Sequence, residues 1–460
     1  MNSEDRSSGL LYKFLGLFTK VHAGEAATLL LLTLAGFLVL GAYYVVKPVR
    51  EGLILGDTNA EFKSYLSAAA VILLIFVVKA FSRLASKVPR QKLITWVTLF
   101  FISNLIIFYV LSLTDVSKPA YGTAFFIWIA IFNVMVVAQF WAFANDIYTP
   151  EEGKRLFPLV AFGATFGAFA GAKVSGWLVE YINRYQLMLV GAVVLFLSVV
   201  FIRIVHGREV KKNKAAPVEA EAAAAESERS KEKEKPLGKE GGFKLVFKKR
   251  YLLYLAIFIL LLNFINTNGE YILGHVARST AEVAVEAGTA GDLDLGDYIT
   301  KFYADFFALV NLLTLIIQLF LVSRIFKWFG IRGAIFFLPL ISLGGYMFVA
   351  VGASLLVVRW AKTLENSTDY SLMNTTRHSL FLVTTREEKY KAKAAIDTFF
   401  HRGGDVLSGV LVLVGTTFLA LSVESFALVN VVFGLLWISV GILVAREHKR
   451  LSAAIKSTQP

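Results

Sequence analysis

Between residues 354 and 382 a largely apolar and hydroxyl-bearing stretch carries Arg359, Lys362, Glu365, Asn366, Asp369, Thr376 and Arg377. At 100° per residue these side chains share about a 120° arc of one helix. An ionisable group inside a membrane helix costs several kcal/mol unless it is paired or wetted, so such a stripe can bind an anion, relay a proton or lock helices together. Lys362, Glu365 and Asp369 read equally as helix–helix salt bridges or snorkelling ends. Arg377, with His378 beside it, lies nearer the end of the stretch, just before Phe381-Leu382-Val383. A second set, Asn263, Asn266, Thr267 and Glu270, again falls on one face. Its single carboxylate can take a proton, pair with a basic group in one conformation or orient a substrate amine; the plain alternative is an interhelical hydrogen-bond acceptor. A third set is Lys47 and Arg50 around Pro48. A Pro-interrupted helix with two cations on one turn can hold an anion, or simply form a snorkelling rim. With Lys173 in the segment at 157–180, basic groups lie on three segments, as an anionic ligand needs, and Arg, with its planar fork, is the better phosphate clamp.

The elements that hold these residues are set by composition. The chain has 460 residues, 56% hydrophobic and only 18% charged, with mean hydropathy +0.63. A soluble domain carries about a quarter charged residues. Here apolar runs of about 20 residues recur, the length that spans a bilayer as a helix. Twelve candidate spans are legible at 26–46, 62–82, 93–113, 120–145, 157–180, 186–204, 251–274, 302–322, 334–351, 354–382, 394–418 and 425–445. The first 25 residues do not form a signal peptide, because Lys13, Lys20 and Glu25 break any apolar core; Leu10, Leu11, Phe14, Leu15 and Phe18 suggest a short interfacial helix instead. The absence of cysteine excludes disulfides, thiolate metal sites and cysteine nucleophiles. No cofactor or metal is expected, and no nucleophile–base pair or phosphate-cradling glycine loop argues for an enzyme.

The net charge of +13, from 47 Lys and Arg against 34 Asp and Glu, would suggest nucleic acid in a soluble protein. With the N-terminus placed in the cytoplasm, the segments on that side hold 35 of the 47 basic residues, so orientation accounts for the charge and no nucleic-acid partner is needed. The chain therefore divides into a cytoplasmic N-terminus (1–25), a six-helix bundle (26–206), a mixed-charge cytoplasmic linker (207–250), a second six-helix bundle (251–445) and a cytoplasmic tail (446–460). An internal repeat supports the division. Ser82-Arg83-Leu84 followed by Lys87, Pro89 and Arg90 is echoed by Ser323-Arg324-Ile325 followed by Lys327, Gly330 and Arg332; Thr149-Pro150-Glu151-Glu152 is echoed by Thr385-Arg386-Glu387-Glu388. These short basic loops resemble the loop between the second and third helices of each major facilitator bundle. Together with the central linker they point to a duplicated all-helical membrane fold with a midplane site between halves.

At the polar stripe, Tyr370-Ser371-Leu372, Arg377 and then KAKAAID (391–397) resemble the nucleotide transporter family, the ATP/ADP translocases of plastids and intracellular bacteria. That family reads Tyr-Ser-Leu-Phe, a Lys-Glu pair and Lys-Gly-Lys-Ala-Ala-Ile-Asp at the same spacing. The segment FWAFANDIYTPEEGKRLFPLVAFGAT (140–165) is similar to the family's Phe-Trp-Gly-Phe-Ala-Asn segment and the loop after it. The resemblance implies a substrate site of four charged positions. The family's first-helix Lys falls on Arg50, its seventh-helix Glu on Glu270 and its tenth-helix Lys on Arg377, with His378 at the position of the Glu beside that Lys. The fourth-helix Glu falls near Ile129, so three of the four charges survive.

The leading expectation is a twelve-helix, major-facilitator-type secondary transporter, monomeric, in a bacterial inner membrane. It would move a nucleotide or related phosphorylated anion, with Lys47, Arg50, Asn266, Glu270, Asp369, Arg377 and His378 as the candidate binding residues. ATP/ADP-type exchange is the mechanism that the resemblance implies; proton symport through Glu270 or His378 is the variant. The competing expectations are a carrier of another organic anion, and a non-transporting scaffold or sensor acting through the basic linker.

Overall fold

The computed structural model describes residues 21–22, 24–85, 87–215 and 241–457, and among them all regular structure is helical. The expected interfacial helix at 10–18 lies outside the described residues, as does 216–240 of the linker. The helices are α1 Glu25–Asp57, α2 Ala60–Ala85, α3 Arg90–Leu111, α4 Lys118–Phe132, α5 Ala138–Ile147, α6 Pro150–Leu178, α7 Gln186–Ala215, α8 Gly242–Lys248 and α9 Arg250–Glu286. They continue as α10 Leu295–Ile316, α11 Val322–Ala334, α12 Phe337–Val351, α13 Leu355–Thr368, α14 Asn374–Leu380, α15 Lys393–Ala395, α16 His401–Thr417 and α17 Val423–Ser457. Five single π-helical turns sit between them: Asn133–Val137, Ile317–Leu321, Asp369–Met373, Glu388–Ala392 and Ile396–Phe400.

Nine helical stretches among the described residues are long and apolar enough to cross a bilayer. They coincide with nine of the twelve segments read from the sequence. The other three fall on the shorter apolar helix Phe337–Val351 and on the helical runs at 355–383 and 388–417, where charged residues and π turns interrupt the apolar pattern. Large apolar side chains such as Phe76, Phe100 and Phe348 are exposed along these helices. That is the outside of a protein whose solvent is lipid, and helices satisfy their own backbone there. The chain is a multi-pass helical membrane protein.

Two compact units are distinguished, and α1 passes from one to the other between Arg50 and Glu51. One unit comprises Glu51–Ile75, Lys118–Ile127 and the chain from α8 to α17. Its axis is α9, buried on many sides and packed against α13, α16 and α17. Polar clasps hold these contacts: Asn268 donates to the Asn430 side chain at 2.8 Å, and Asn430 donates to the Ile265 carbonyl at 3.2 Å. Such interhelical hydrogen bonds contribute where the hydrophobic effect cannot, because lipid is as apolar as leucine.

The other unit comprises α1 up to Arg50, α2 from Phe76, α3, and the chain from Trp128 through α7. Here α6 opens with a capping box, Thr149 and Glu152 each bonding the other's backbone N–H. The glycines of α6 let it lie directly on α1. A methyl group at Gly167 would stand 2.1 Å from the Phe37 carbonyl oxygen, and one at Gly171 would stand 2.2 Å from that of Gly41. Both neighbours are backbone, so nothing can swing aside. Tyr43, Phe101, Trp128 and Phe132 close an aromatic cluster beside this contact, with Tyr43 stacked on Phe132 at 5.9 Å. Replacing Gly167 with Leu should force α1 from α6 and cost about 1–3 kcal/mol. Thermal unfolding of the detergent-purified protein would show it as a lowered melting temperature, and an unchanged one would contradict the packing described.

Candidate functional site

The polar residues of α9 and α13 meet around one ammonium group. Lys362 is 1% exposed, and its Nζ lies 2.8 Å from Glu365 Oε2, 3.4 Å from Glu270 Oε1, 3.1 Å from the Asn266 carbonyl and 3.3 Å from Asn266 Oδ1. An ammonium has three protons to give. Four acceptors therefore compete for three donors, and Glu270 holds the longest of the contacts.

The two carboxylates differ. Glu365 is fully buried; it also accepts from the Tyr346 hydroxyl at 2.7 Å and the Ser342 hydroxyl at 3.4 Å, both on α12. It is a fixed counterion. The Glu270 side chain is 30% exposed and accepts from Asn366 Nδ2 at 3.1 Å. The charges of Lys63 and Glu51 also act on Glu270. Those two form their own buried pair at 2.7 Å, with Lys63 5.2 Å from the centre of the Tyr303 ring. Gly269 makes room for the cluster, since a Cβ there would stand 1.8 Å from the Tyr346 hydroxyl oxygen.

The α9 face read as one set from the sequence divides between two neighbours. Asn266 and Glu270 turn to α13. Asn263 and Thr267 turn to α16, where each donates to Asp405 Oδ1 at 2.6 Å, and Asn263 also donates to the His401 carbonyl at 2.7 Å. Glycine again permits the approach, because a Cβ at Gly404 would stand 2.6 Å from the Phe264 backbone nitrogen.

Among the expected site residues, Asn266 and Glu270 belong to the cluster. Asp369 is partly buried at the start of a π turn, within the fields of Lys362, Glu365 and Arg377. Arg377 and His378 come after that turn on α14; Arg377 is partly exposed and reaches the Asn374 side chain at 3.5 Å, and His378 is exposed. The π turn adds a residue to the helix and rotates the side chains beyond it, so the single stripe expected on an unbroken helix is interrupted between Lys362 and Arg377. Lys47 is buried in its unit, 4.9 Å from the centre of the Tyr44 ring and 5.8 Å from that of Tyr43, and Arg50 one turn on is partly buried. Among the described residues no group of three or more His, Asp or Glu could hold a metal ion.

Five members of the constellation are absent from the expected binding set: Lys362, Glu365, Asn366, Tyr346 and Ser342. The spacing of Lys362 and Glu365 is visible in the sequence as a candidate salt bridge. The participation of Tyr346 has no sequence signal, because it arises from the packing of α12 on α13.

Comparisons with known proteins bear on the fold and on the family likeness. The family model described as TLC ATP/ADP transporter matches residues 118–268, which include Asn266 of the cluster. The ADP,ATP carrier protein 1 of Chlamydia pneumoniae is 23% identical over 338 residues, 62% of this chain. The chain spans 59% of that carrier's length. Among solved structures, the nucleoside transporter NupG aligns with a TM-score of 0.58 at 12% identity, over 92% of this chain and 98% of that one. The peptide transporter POT in complex with sulfate aligns at 0.60 and 12% identity, over 98% and 99%. At these identities the structural matches show the fold alone: the chain shares the helical membrane architecture of these two proteins. The expected resemblance to the nucleotide transporters holds, and these relatives are transporters, not enzymes.

Truncating Glu365 to Ala should leave the Lys362 ammonium without its fixed counterion and destabilise the protein by about 3–5 kcal/mol. Tyr346→Phe, which removes one donor to that carboxylate, should cost about 1–2 kcal/mol. Denaturant unfolding in detergent micelles measures both, and equal stability of Glu365→Ala and the parent would refute the counterion role.

Proposed function

We propose that this divergent relative of the nucleotide transporters is a secondary transporter that carries a nucleotide or related phosphorylated organic anion by alternating access. It works as a monomer of twelve spans in two six-helix bundles, in a bacterial plasma membrane with both termini in the cytoplasm. The observation that carries the reading is the surplus acceptor on Lys362. A buried ammonium that keeps one permanent carboxylate and one weakly held, partly exposed carboxylate offers an incoming phosphate a donor in exchange for Glu270.

In the empty carrier Glu270 neutralises Lys362, so the ammonium stays paired when no substrate is present. A phosphate oxygen then takes the Glu270 position and Glu365 remains. Arg377 supplies a planar fork for further phosphate oxygens. Asp369, between Lys362 and Arg377 along the chain, spaces the two cations electrostatically. Exchange of one anion for another, rather than proton symport, is the reading supported by the likeness to an ADP,ATP carrier. The matched family model and the carrier from Chlamydia pneumoniae support the nucleotide as substrate class.

Liposomes that hold the purified protein and internal ADP should take up labelled ATP or another labelled nucleotide. Glu270→Gln should lower that uptake about tenfold or more, a rise of about 1.4 kcal/mol in the transport barrier, and Arg377→Ala should lower it as well. Absence of uptake for every nucleotide tried would overturn the substrate class, and full uptake by Glu270→Gln would overturn the exchange role of the carboxylate.

A further inference from the structure

Away from the Lys362 cluster, a cleft of about 550 Å³ opens where α8, α9 and α17 converge. Its lining includes Lys248, Lys249, Arg250 and Arg450, against two carboxylates, Glu388 and Glu447. Both carboxylates are engaged: Glu388 accepts from the Thr385 backbone N–H at 2.9 Å, and Glu447 pairs with Arg450 at 3.2 Å. Among the described residues no carboxylate pairs with Lys249 or Arg250, and the first turn of α9 contains no acid. The cleft thus gathers more positive charge than its own residues offset. Like charges held this close repel one another unless an anion joins them.

The position of the cleft says which anion. Arg250 opens a membrane-crossing stretch and Arg450 lies in the closing turns of another, so the cations stand at headgroup level. Beside them α8 is a short amphipathic helix. Leu245 and Val246 are buried and Gly242 packs on the Lys391 carbonyl, whereas Phe243 and Phe247 project outward at 47% and 65% exposure. Phe399, also exposed, sets its ring 5.1 Å from that of Phe243. Exposed aromatic rings next to a basic cleft are matched by a molecule with an acyl chain beside a phosphate. A free phosphate leaves those rings without a partner.

We propose that this cleft is a binding site for the phosphate headgroup of an anionic phospholipid, with the acyl chain lying along Phe243, Phe247 and Phe399. The site is separate from the substrate cluster and does not depend on which anion is transported. Native mass spectrometry of the full chain in detergent, titrated with phosphatidylglycerol or phosphatidylcholine, tests it. The parent should retain phosphatidylglycerol in preference to phosphatidylcholine, and the triple variant K249A/R250A/R450A should lose about tenfold or more of that retention. The charge-preserving variant K249R/R250K should retain the lipid. Millimolar inorganic phosphate or ATP should leave the adducts in place. Equal retention of the two lipids by the parent, undiminished retention by the triple variant, or displacement of the lipid by phosphate or ATP would each overturn the proposal.

Discussion

The structure around α9 depends on one requirement, that the ammonium of Lys362 be satisfied where water is absent. Burying an unpaired charge costs several kcal/mol, and the pairing that offsets this must come with good geometry. Here it takes three helices. Asn266 and Glu270 come from α9, Glu365 from the next turn of α13, and the hydroxyls of Tyr346 and Ser342 from α12 hold Glu365 in place. Displacing any one helix breaks a contact to Lys362 or to its counterion Glu365, so the charge specifies how the helices pack.

The same requirement accounts for residues with no polar group of their own. Gly269 is small because the Tyr346 hydroxyl occupies the space where its side chain would be. Gly404 is small because α16 must come close enough for Asp405 to receive Asn263 and Thr267. α9 thus serves two polar neighbours from one face, with the Lys362 cluster on one side and Asp405 on the other. In lipid, close approach through glycine and hydrogen bonding through Asn and Thr replace the hydrophobic drive of soluble proteins.

Much of this is legible in the sequence, for identifiable reasons. Apolar runs of bilayer length mark the helices, since nothing else places some twenty apolar residues in a row. Polar residues within them stand out, and Asn266 and Glu270 are visible for that reason. The sequence does not say which neighbour each polar residue meets, and so Lys362 and Glu365 read as a salt bridge with no centre assigned to them. Tyr346, in the apolar helix α12, looks like any aromatic until α13 is laid against it. The stripe from Lys362 to Arg377 assumes 3.6 residues per turn throughout, and the π turn at Asp369–Met373 breaks that assumption. Such turns recur at functional positions and leave no compositional mark.

The central claim is that a substrate anion takes the donor on Lys362 that Glu270 holds in the empty protein. Titration calorimetry of a nucleotide into the purified parent, Lys362→Met and Glu270→Gln tests it most directly, because binding is read without transport. The account predicts that Lys362→Met abolishes measurable binding, while Glu270→Gln, which removes the competing carboxylate and keeps the ammonium, binds at least as tightly as the parent. Parent-like affinity in a folded Lys362→Met protein would contradict it.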